Sequence, residues 1–475
     1  MAGEITFKGV KKLLEEHNQG HLLAFWFELD DAQKEALLTQ IEALDLEKID
    51  SLVADYVLKK EPPAVPSELL PVTAYTPQPR NPAEKRKHEQ AKRIGKKLIS
   101  EGKVAAFVVA GGQGTRLGFD GPKGDLPISP VKNKTLFQIF AETIAAVSRQ
   151  YNATCPWYVM TSPINHHETL KIFRSNNYYG LNRDSVFIFQ QDTLPNFGFD
   201  GRILLSDEAS IACSPDGHGG SLRALSDSGA TADMRNRGVE YISYWQIDNP
   251  LVKVFDPLFV GLHAIDNAEM SSKALTKTGP YEKVGNFCLV DGKVMVIEYS
   301  DLSDEQAERR NPDGSLVFRL GSIGIHIISR RFVERFNSGG LRLPLHKAIK
   351  RIPHIDSSGN PVVPTNPNGI KLEAFVFDAL PLATRTVTLE TIRSEEFAPT
   401  KNATGVDSVE TTRQMMVMRA ADWLQAAGVP VPRKSDDSPD CLIEIAPDFA
   451  LEKDDIKAKR SRIPKIKPGD CIYLE

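Results

Sequence analysis

Short apolar runs alternate with helical patterns over the central part of the chain, from residue 103 to about residue 385. The apolar runs occupy residues 103–109, 156–160, 186–189 and 241–247. Between them, stretches such as 136–147 repeat apolar residues at three- and four-residue steps, which is the spacing of one helix face. This alternation is typical of an α/β fold with a largely parallel sheet, because parallel strands are usually joined by helical crossovers.

The patterns before and after this central part are different. Residues 1–60 carry a helical periodicity, and residues 61–84 contain seven prolines, a density that favours extended chain over helix. Residues 386–475 begin with a β-rich run and continue with a helical pattern. We therefore predict a helical N-terminal segment with a proline-rich strap (1–95), a central α/β domain (96–385) and a small C-terminal α+β domain (386–475).

Composition narrows the classes of function. The chain has 58 Lys and Arg residues against 62 Asp and Glu residues, a net charge of −4, which argues against broad binding to nucleic acid or membranes. Its N-terminus lacks a signal-peptide pattern, and no apolar run is long enough to span a bilayer. The five cysteines are dispersed without a Cys-x-x-Cys pair, which favours reduced thiols. We predict a cytoplasmic protein that is a monomer or a weak homo-oligomer.

A glycine-rich turn directly follows the run 103–109. Gly111, Gly112 and Gly114 would let the backbone adopt positive φ values and bring its N–H groups against a ligand. Arg116 lies within the turn, and Lys123 lies at its far end. Bare amides together with two cations suit a polyphosphate.

Two common phosphate-binding motifs do not describe this turn. The phosphate loop of ATPases requires a Gly-Lys-Ser/Thr ending, which is absent here. The dinucleotide fingerprint requires a third glycine where this chain has Leu117. A glycine-rich turn without a ligand is the alternative, and the cations and the ending Gly121-Pro122-Lys123-Gly124 argue against it.

Residues 110–118 together with 122–124 resemble the nucleotide loop of eukaryotic-type uridylyltransferases, and most closely that of the UDP-N-acetylhexosamine pyrophosphorylases. The UDP-glucose branch of that family reads Asn-Gly-Gly-Leu-Gly-Thr where this chain reads Gly-Gly-Gln-Gly-Thr-Arg. The resemblance continues, in the family's order, from about residue 20 to about residue 412. It implies a mixed, mostly parallel nucleotide-binding sheet of the Rossmann-like, GT-A-like kind, so residues 96–385 would form a catalytic nucleotidyltransferase domain.

Two polar residues stand at the ends of predicted strands, where sites in α/β sheets gather. Gln191 ends the motif Phe-Gln-Gln, and a glutamine amide can match the edge of a pyrimidine, although such pairs are usually surface residues. Asp248 follows the run 241–247, and a single carboxylate there suits Mg²⁺ shared with a triphosphate. A helix cap or a surface position is the alternative for Asp248.

A second glycine-rich turn occupies residues 214–220, before a short helical pattern. In the family the matching turn places a glycine, here Gly217, near the nucleotide and the next side chain on the sugar. The N-acetylhexosamine enzymes usually carry Asn at that second position, whereas this chain has His218. The preferred sugar is therefore left open.

The resemblance implies an enzyme that joins UTP to a sugar 1-phosphate, most closely N-acetylglucosamine 1-phosphate, with Mg²⁺ or Mn²⁺, and releases pyrophosphate. The implied catalytic residues are Arg116, Lys123 and Lys401. The implied nucleotide-binding residues are Ala110, Gly111, Gly112, Gln113, Gly114, Thr115, Lys123, Gln191, Gly217, Asp248 and Lys371, and Asp248 is also the implied metal ligand. The implied sugar-binding residues are His218, Glu298 and Lys401.

Three alternatives remain. The substrate could be glucose or galactose 1-phosphate. A non-catalytic UDP-sugar sensor would be favoured by loss of Arg116, Lys123 or Asp248, and all three are present. An enzyme that transfers sugar from a UDP-sugar commonly carries an Asp-x-Asp motif, where this chain reads Asp248-Asn249-Pro250.

Overall fold

The computed structural model describes residues 7–59, 66 and 68–475. Residues 61–65 and 67 of the predicted proline-rich strap therefore lie outside the described residues, as do residue 60 and residues 1–6. The contacts of the chain group it into two units, each assembled from separate segments. The first unit comprises the described parts of Met1–Ala64, Asp192–Gly220 and Leu343–Val376, and the second comprises those of Val65–Gln191, Ser221–Arg342 and Phe377–Glu475.

A ten-stranded mixed sheet forms the centre of the second unit. In chain order its strands are Leu70–Pro71 (β1), Val104–Val109 (β2), Trp157–Thr161 (β3), Val186–Gln190 (β4), Tyr241–Gln246 (β5), Met270–Thr276 (β6), Asn286–Val290 (β7), Lys293–Ile297 (β8), Leu320–Ser329 (β9) and Thr386–Thr391 (β10). The main path runs β1-β7-β9-β5-β2-β3-β4, with β8 beside β7, and β6 pairs with both β9 and β10. The prediction of a mixed α/β sheet is confirmed.

The parallel part of the sheet lies where the sequence predicts it. Strands β5, β2, β3 and β4 pair parallel to one another, and β6 pairs parallel to β10, while the pairs made by β1, β7, β8 and β9 are antiparallel. The buried faces of β2 and β3 are almost wholly apolar, as expected for strands covered on both sides. The carboxyl ends of these parallel strands therefore meet at one edge of the sheet.

The helices of the second unit cover this sheet and continue into a small C-terminal cluster. They are Pro82–Ser100, Leu136–Tyr151, His166–Ser175, Ser221–Asp227, Ala230–Asn236, Pro257–Ile265, Asp304–Glu308, Arg330–Ser338, Arg393–Glu396, Val409–Ala426 and Lys453–Ala458. The Thr135 side chain accepts a hydrogen bond from the Gln138 N–H and so caps the helix that follows the glycine-rich turn. The C-terminal strands Leu442–Ile445 and Cys471–Leu474 pair parallel and share an apolar cluster with helix Val409–Ala426.

Two helices of the second unit cross at glycines. A Cβ atom on Gly95 would lie 1.9 Å from the Pro257 carbonyl oxygen, and one on Gly261 would lie 1.8 Å from the Ala91 carbonyl oxygen. Neither distance is possible for a real side chain, so only glycine permits this close backbone contact. The crossing holds helix Pro82–Ser100 against helix Pro257–Ile265.

The first unit is smaller and has its own apolar core. Its helices are Phe7–Glu16, Asp31–Glu42 and Leu46–Leu52. Strands Leu345–Lys350, Gly369–Ala374 and Phe197–Gly198 form a three-stranded sheet, in that order. Three two-stranded sheets accompany it: Thr193–Pro195 with Cys213–Pro215, Leu205–Asp207 with Ser210–Ile211, and His354–Ile355 with Pro361–Val362. Leu37 of helix Asp31–Glu42 and Leu22 of the preceding 3-10 turn Gly20–Leu23 are buried and join Ile370 and Leu372 in one cluster.

The β-rich run at the start of the predicted C-terminal domain is β10, a strand of the main sheet. The proposed division of the chain into three continuous domains stays a prediction. Among the described residues, no helix combines the length and the apolar character needed to cross a membrane.

Candidate functional site

The loop after β2 is held through its carbonyl groups. Asn165, which follows β3 and is buried, donates its side-chain amide to the carbonyl oxygens of Ala110 at 2.9 Å and Gly112 at 3.2 Å. The Ser162 hydroxyl donates to the Gly111 carbonyl oxygen at 2.8 Å. In contrast, the backbone N–H groups of Gly111, Gly112 and Gln113 make no backbone hydrogen bond to another described residue. The loop thus keeps its acceptors occupied and its donors available to a ligand.

Two glycines of this loop, Gly111 and Gly114, are needed for close contact rather than for positive φ. A Cβ atom on Gly111 would lie 2.6 Å from Oε1 of Gln191, and one on Gly114 would lie 2.7 Å from Cδ1 of Phe119. The positive φ values occur later, at Gly118 (71°) and Gly121 (140°). The sequence-based expectation of positive φ at residues 111, 112 and 114 is therefore wrong. Steric crowding requires a small residue at positions 111 and 114, whereas a Cβ atom on Gly112 would have no atom within 4 Å.

Lys123 is tied back to the start of the same loop. Its backbone N–H donates to the Gly112 carbonyl oxygen at 3.0 Å, and the Gly114 N–H donates to the Gly121 carbonyl oxygen at 2.9 Å. These two bonds close the loop on itself. The Lys123 side chain, 17% exposed, ends 3.9 Å from Oδ2 of Asp248, whose side chain is 12% exposed. The loop and the end of β5 therefore bring a cation and a carboxylate together in a largely buried position.

Asp248 also connects to the segment that carries Lys401. The Thr400 N–H donates to the Asp248 carbonyl oxygen at 2.9 Å, and the Lys401 N–H donates to the Asp407 carbonyl oxygen at 2.6 Å. Burial raises the pKa of the Asp407 carboxyl, the nearby Asp248 carboxylate raises it further, and Lys401 opposes both. The structure thus places Asp248, Lys123 and the Lys401 segment in one region.

Gln191 lies against the loop, as its predicted role requires. It is 6% exposed, and its backbone N–H donates to the Thr161 carbonyl oxygen at 2.8 Å, which extends the pairing of β4 with β3. Its side-chain oxygen is the atom that crowds Gly111. A pyrimidine that contacts Gln191 would therefore also meet the backbone of residues 110–111.

Arg116 lies on the exposed side of the loop, in the turn Thr115–Leu117. It makes no hydrogen bond or ion pair with any other residue that the structure describes. Its charge is therefore not neutralised by any described residue. A cation in this state on a loop of free N–H groups is suited to an anionic ligand.

The first unit holds the second predicted group. Gly217 has a φ of 87°, and a Cβ atom there would lie 2.4 Å from the Ala374 carbonyl oxygen, so glycine is required on both counts. The Val376 N–H donates to Nδ1 of His218 at 3.1 Å. The His218 ring stacks on Phe375, with centroids 5.1 Å apart and planes 12° apart, and Phe375 stacks on His346. Because Nδ1 accepts, a neutral His218 carries its proton on Nε2.

The two remaining predicted residues have local partners. Lys371, on strand Gly369–Ala374, forms an ion pair of 2.7 Å with Glu373. Glu298 directly follows β8, and its Oε1 would lie 3.3 Å from a Cβ atom on Gly285. The roles of Lys371 and Glu298 stay predictions.

Three residues that support the loops were missed at the level of the sequence. They are Ser162, Asn165 and Asn249. Ser162 and Asn165 follow a predicted strand, so the rule that sites gather at the carboxyl ends of parallel strands would have identified them. Asn249 stands beside Asp248, and only the carboxylate was considered there.

A cavity of about 470 Å³ lies elsewhere in the second unit, and none of the predicted site residues lines it. Its walls include Pro250, Lys253 and Glu396, which neighbour the segments that carry Asp248 and Lys401. Among the described residues, no group of three or more His, Cys, Asp or Glu side chains is arranged to hold a metal ion. Any metal at Asp248 would therefore take most of its ligands from substrate and water.

Residues 68–473 match the model of the UTP–glucose-1-phosphate uridylyltransferase family. The chain belongs to this family. It is 41% identical to UDP-N-acetylhexosamine pyrophosphorylase-like protein 1 of Xenopus tropicalis over 440 residues, which are 88% of this chain and 84% of that protein. Membership of the uridylyltransferase family is thus confirmed over almost the whole chain.

Two solved structures of uridylyltransferases resemble this one. The uridine diphosphate N-acetylglucosamine pyrophosphorylase of Trypanosoma brucei superposes with a TM-score of 0.82, at 25% identity, and covers 100% of this chain and 99% of its own. The putative UDP-N-acetylglucosamine pyrophosphorylase of Entamoeba histolytica gives a TM-score of 0.73 at 30% identity, and covers 86% of this chain and 99% of its own. The similarity to the N-acetylhexosamine branch, predicted from the loop sequence, is confirmed.

Proposed function

We propose that this uridylyltransferase joins UTP to N-acetylglucosamine 1-phosphate and releases pyrophosphate. The observation that carries the proposal is the loop after β2, whose free N–H groups and unpaired Arg116 lie beside the pair of Lys123 and Asp248. Donors and cations in this arrangement suit the triphosphate of a nucleotide. The names of the similar proteins support the choice of sugar.

The chemistry needs no general base. The phosphate oxygen of the sugar 1-phosphate is already ionised, so it attacks the α-phosphorus of UTP directly. A bond forms between that oxygen and the α-phosphorus, and the bond to the bridging oxygen of the β-phosphate breaks, so that pyrophosphate leaves. Catalysis then consists of in-line positioning and of neutralising the developing charge. Arg116 and Lys123 would hold the triphosphate, and Lys401 would hold the sugar phosphate.

Enzymes of this family generally use a divalent metal ion, and we propose Mg²⁺ or Mn²⁺ for this one. Asp248 fits that ion, because Mg²⁺ is usually bound by one or two carboxylates plus substrate phosphates rather than by a full protein cage. When bound, the ion would neutralise phosphate charge. Lys123 beside Asp248 would stabilise the same phosphates whether or not Asp248 holds a metal ion.

The function is tested by measuring pyrophosphate release with UTP and a panel of sugar 1-phosphates. We expect the highest kcat/KM with N-acetylglucosamine 1-phosphate. The same protein incubated with UTP alone serves as the control for hydrolysis. An absence of pyrophosphate with every sugar, while UTP still binds, would instead favour a UDP-sugar sensor.

We predict that Gln191 gives the enzyme a preference for uridine over cytidine. The uracil O4 atom is an acceptor, whereas cytosine carries an N4 donor at that place. A Gln191 side chain whose NH₂ group donates to O4 of uracil would therefore place a donor against the N4 donor of cytosine. UTP should therefore give a higher kcat/KM than CTP, and Gln191→Ala should reduce the ratio. Equal rates with UTP and CTP in the wild type would remove Gln191 from the base site.

We predict that His218 adjusts the sugar preference without being essential. Nδ1 of His218 accepts from the Val376 N–H. The family resemblance implies that the side chain after Gly217 contacts the sugar, and an imidazole, like an asparagine amide, can hydrogen-bond a sugar hydroxyl or an acetamido carbonyl. Some activity on glucose 1-phosphate or on the galacto epimer is therefore expected. His218→Asn should shift the ratio of kcat/KM for the N-acetylated and plain sugars by about threefold to tenfold, the effect of one hydrogen bond. An unchanged ratio would mean that His218 does not contact the sugar.

We also propose that the protein acts in the cytoplasm. Cys155, Cys213, Cys288, Cys441 and Cys471 are all unpaired, which suits a reducing compartment. The prediction of a monomer or weak homo-oligomer stays a prediction.

A further inference from the structure

A buried group of charges lies beneath the segment that carries Lys401. Lys273, on β6, is fully buried, and its Nζ donates to Oδ2 of Asp256 at 2.7 Å and to the Glu396 carboxylate. Glu396 is also buried, and its other oxygen accepts from the Thr391 hydroxyl at 2.8 Å. A lysine with no exposure is rare in proteins and is costly unless its charge is compensated.

The charges that face this lysine come from several elements. Asp256 caps helix Pro257–Ile265 by accepting from the Leu258 N–H, and Lys253 lies 3.7 Å from Oε1 of Glu396. Arg419 adds positive charge near Glu396. Burial would raise the pKa of Asp256, but Lys273 and Lys253 lower it to about 2. Lys273 is thus the shared ion-pair partner of both carboxylates.

Hydrogen bonds connect Glu396 to the predicted site. The Asn249 side chain donates to the Glu396 carbonyl oxygen at 2.7 Å and accepts from the Ala398 N–H at 3.0 Å. The Thr400 N–H then donates to the Asp248 carbonyl oxygen at 2.9 Å. Residues 396–400 are therefore fixed at one end by Lys273 and at the other by the backbone of Asp248, and Lys401 follows directly.

We propose that Lys273 is a positioning residue for uridylyl transfer: through Glu396 it fixes the segment that sets Lys401 relative to Asp248. Lys273 is fully buried, so it would contact neither substrate. The inference rests on the proposed function, because the role assigned to Lys401 is to hold the sugar phosphate. A positioning role can be told apart from a purely structural one by comparing activity with stability. Replacing a buried ion pair by uncharged groups of similar volume often leaves stability unchanged.

The test uses Lys273→Met, Glu396→Gln and the double variant of the full-length chain. We expect each to lower kcat at least about tenfold while the Kd for UTP, measured by calorimetry, changes less than about threefold, because the nucleotide loop is held by other contacts. The double variant should have a higher thermal midpoint than Lys273→Met, since it leaves one carboxylate, that of Asp256, without its paired cation rather than two. Lys134→Met removes another buried, paired lysine and should alter stability without lowering kcat.

The pH profile separates positioning from general destabilisation. In Lys273→Met, the buried Glu396 and the partly buried Asp256 lose their shared cation, and protonation of a carboxylate relieves the excess negative charge. Its kcat relative to wild type should therefore rise as pH is lowered from about 8 to about 6, and the double variant should show a smaller rise.

Folded variants with wild-type kcat would overturn the proposal. Failure of all three variants to fold would do the same, because the group would then act through stability alone. A wild-type protein that forms no UDP-sugar would contradict the proposed function instead, so the two failures can be told apart.

Discussion

Arg116→Ala is expected to lower the turnover number at least about a hundredfold, because charge clamps on transferring phosphoryl groups contribute roughly 3 kcal/mol. Arg116 has no ion pair or hydrogen bond with the described residues, so its removal breaks no internal contact. The loss should therefore appear in kcat and not in the thermal midpoint. The measurement is pyrophosphate release at saturating UTP and sugar 1-phosphate.

Arg93→Ala is the matched control for this variant. Arg93 is an exposed arginine on helix Pro82–Ser100 of the same unit, and its replacement should leave kcat unchanged. Arg116→Lys should recover part of the activity, because it restores the charge but not the planar fork of the guanidinium. Wild-type turnover in Arg116→Ala would remove the residue from the catalytic machinery.

Asp248→Asn is expected to have an effect of similar size, at least about a hundredfold in kcat, because a metal bridging the phosphates supplies several kcal/mol of charge stabilisation. The substitution keeps the backbone carbonyl that Thr400 contacts, and it leaves Lys123 without its nearby carboxylate. Titrating Mg²⁺ should show that the variant needs a higher metal concentration than the wild type.

Asp227→Asn removes an exposed carboxylate of the same unit that pairs with Arg223, and it should change neither kcat nor the Mg²⁺ requirement. An Asp248→Asn enzyme with normal turnover and a normal Mg²⁺ titration would show that the metal is held elsewhere.

The strands around the site could be predicted closely because their apolar runs are local and buried. The run 103–109 became Val104–Val109, and 241–247 became Tyr241–Gln246. Polar residues immediately after such strands, Gln191 and Asp248, lie beside the loop as the carboxyl-end rule requires. Periodicity alone could not have assigned a nucleotide to them, and the family resemblance supplied that step.

Other features depend on contacts between residues far apart in the chain. Gly111 must be small because Gln191 approaches it, and the local sequence suggested positive φ instead. The run that starts the predicted C-terminal domain became a strand of the main sheet because β6 offered it a parallel partner. A charged Lys273 within a buried strand gives no local signal of the two acidic partners that make its burial tolerable.

The first unit takes its core from the two ends of a long stretch of sequence, since Leu22 and Leu37 pack with Ile370 and Leu372. During translation the N-terminal helices leave the ribosome long before strand Gly369–Ala374 exists. Isolated helices of this length are marginal in water, and the core that they join also contains Phe197 and Ile203 from the middle of the chain. The core of the first unit is therefore incomplete until Ile370 and Leu372 have been synthesised, so this unit cannot complete its folding in strict order from the N-terminus.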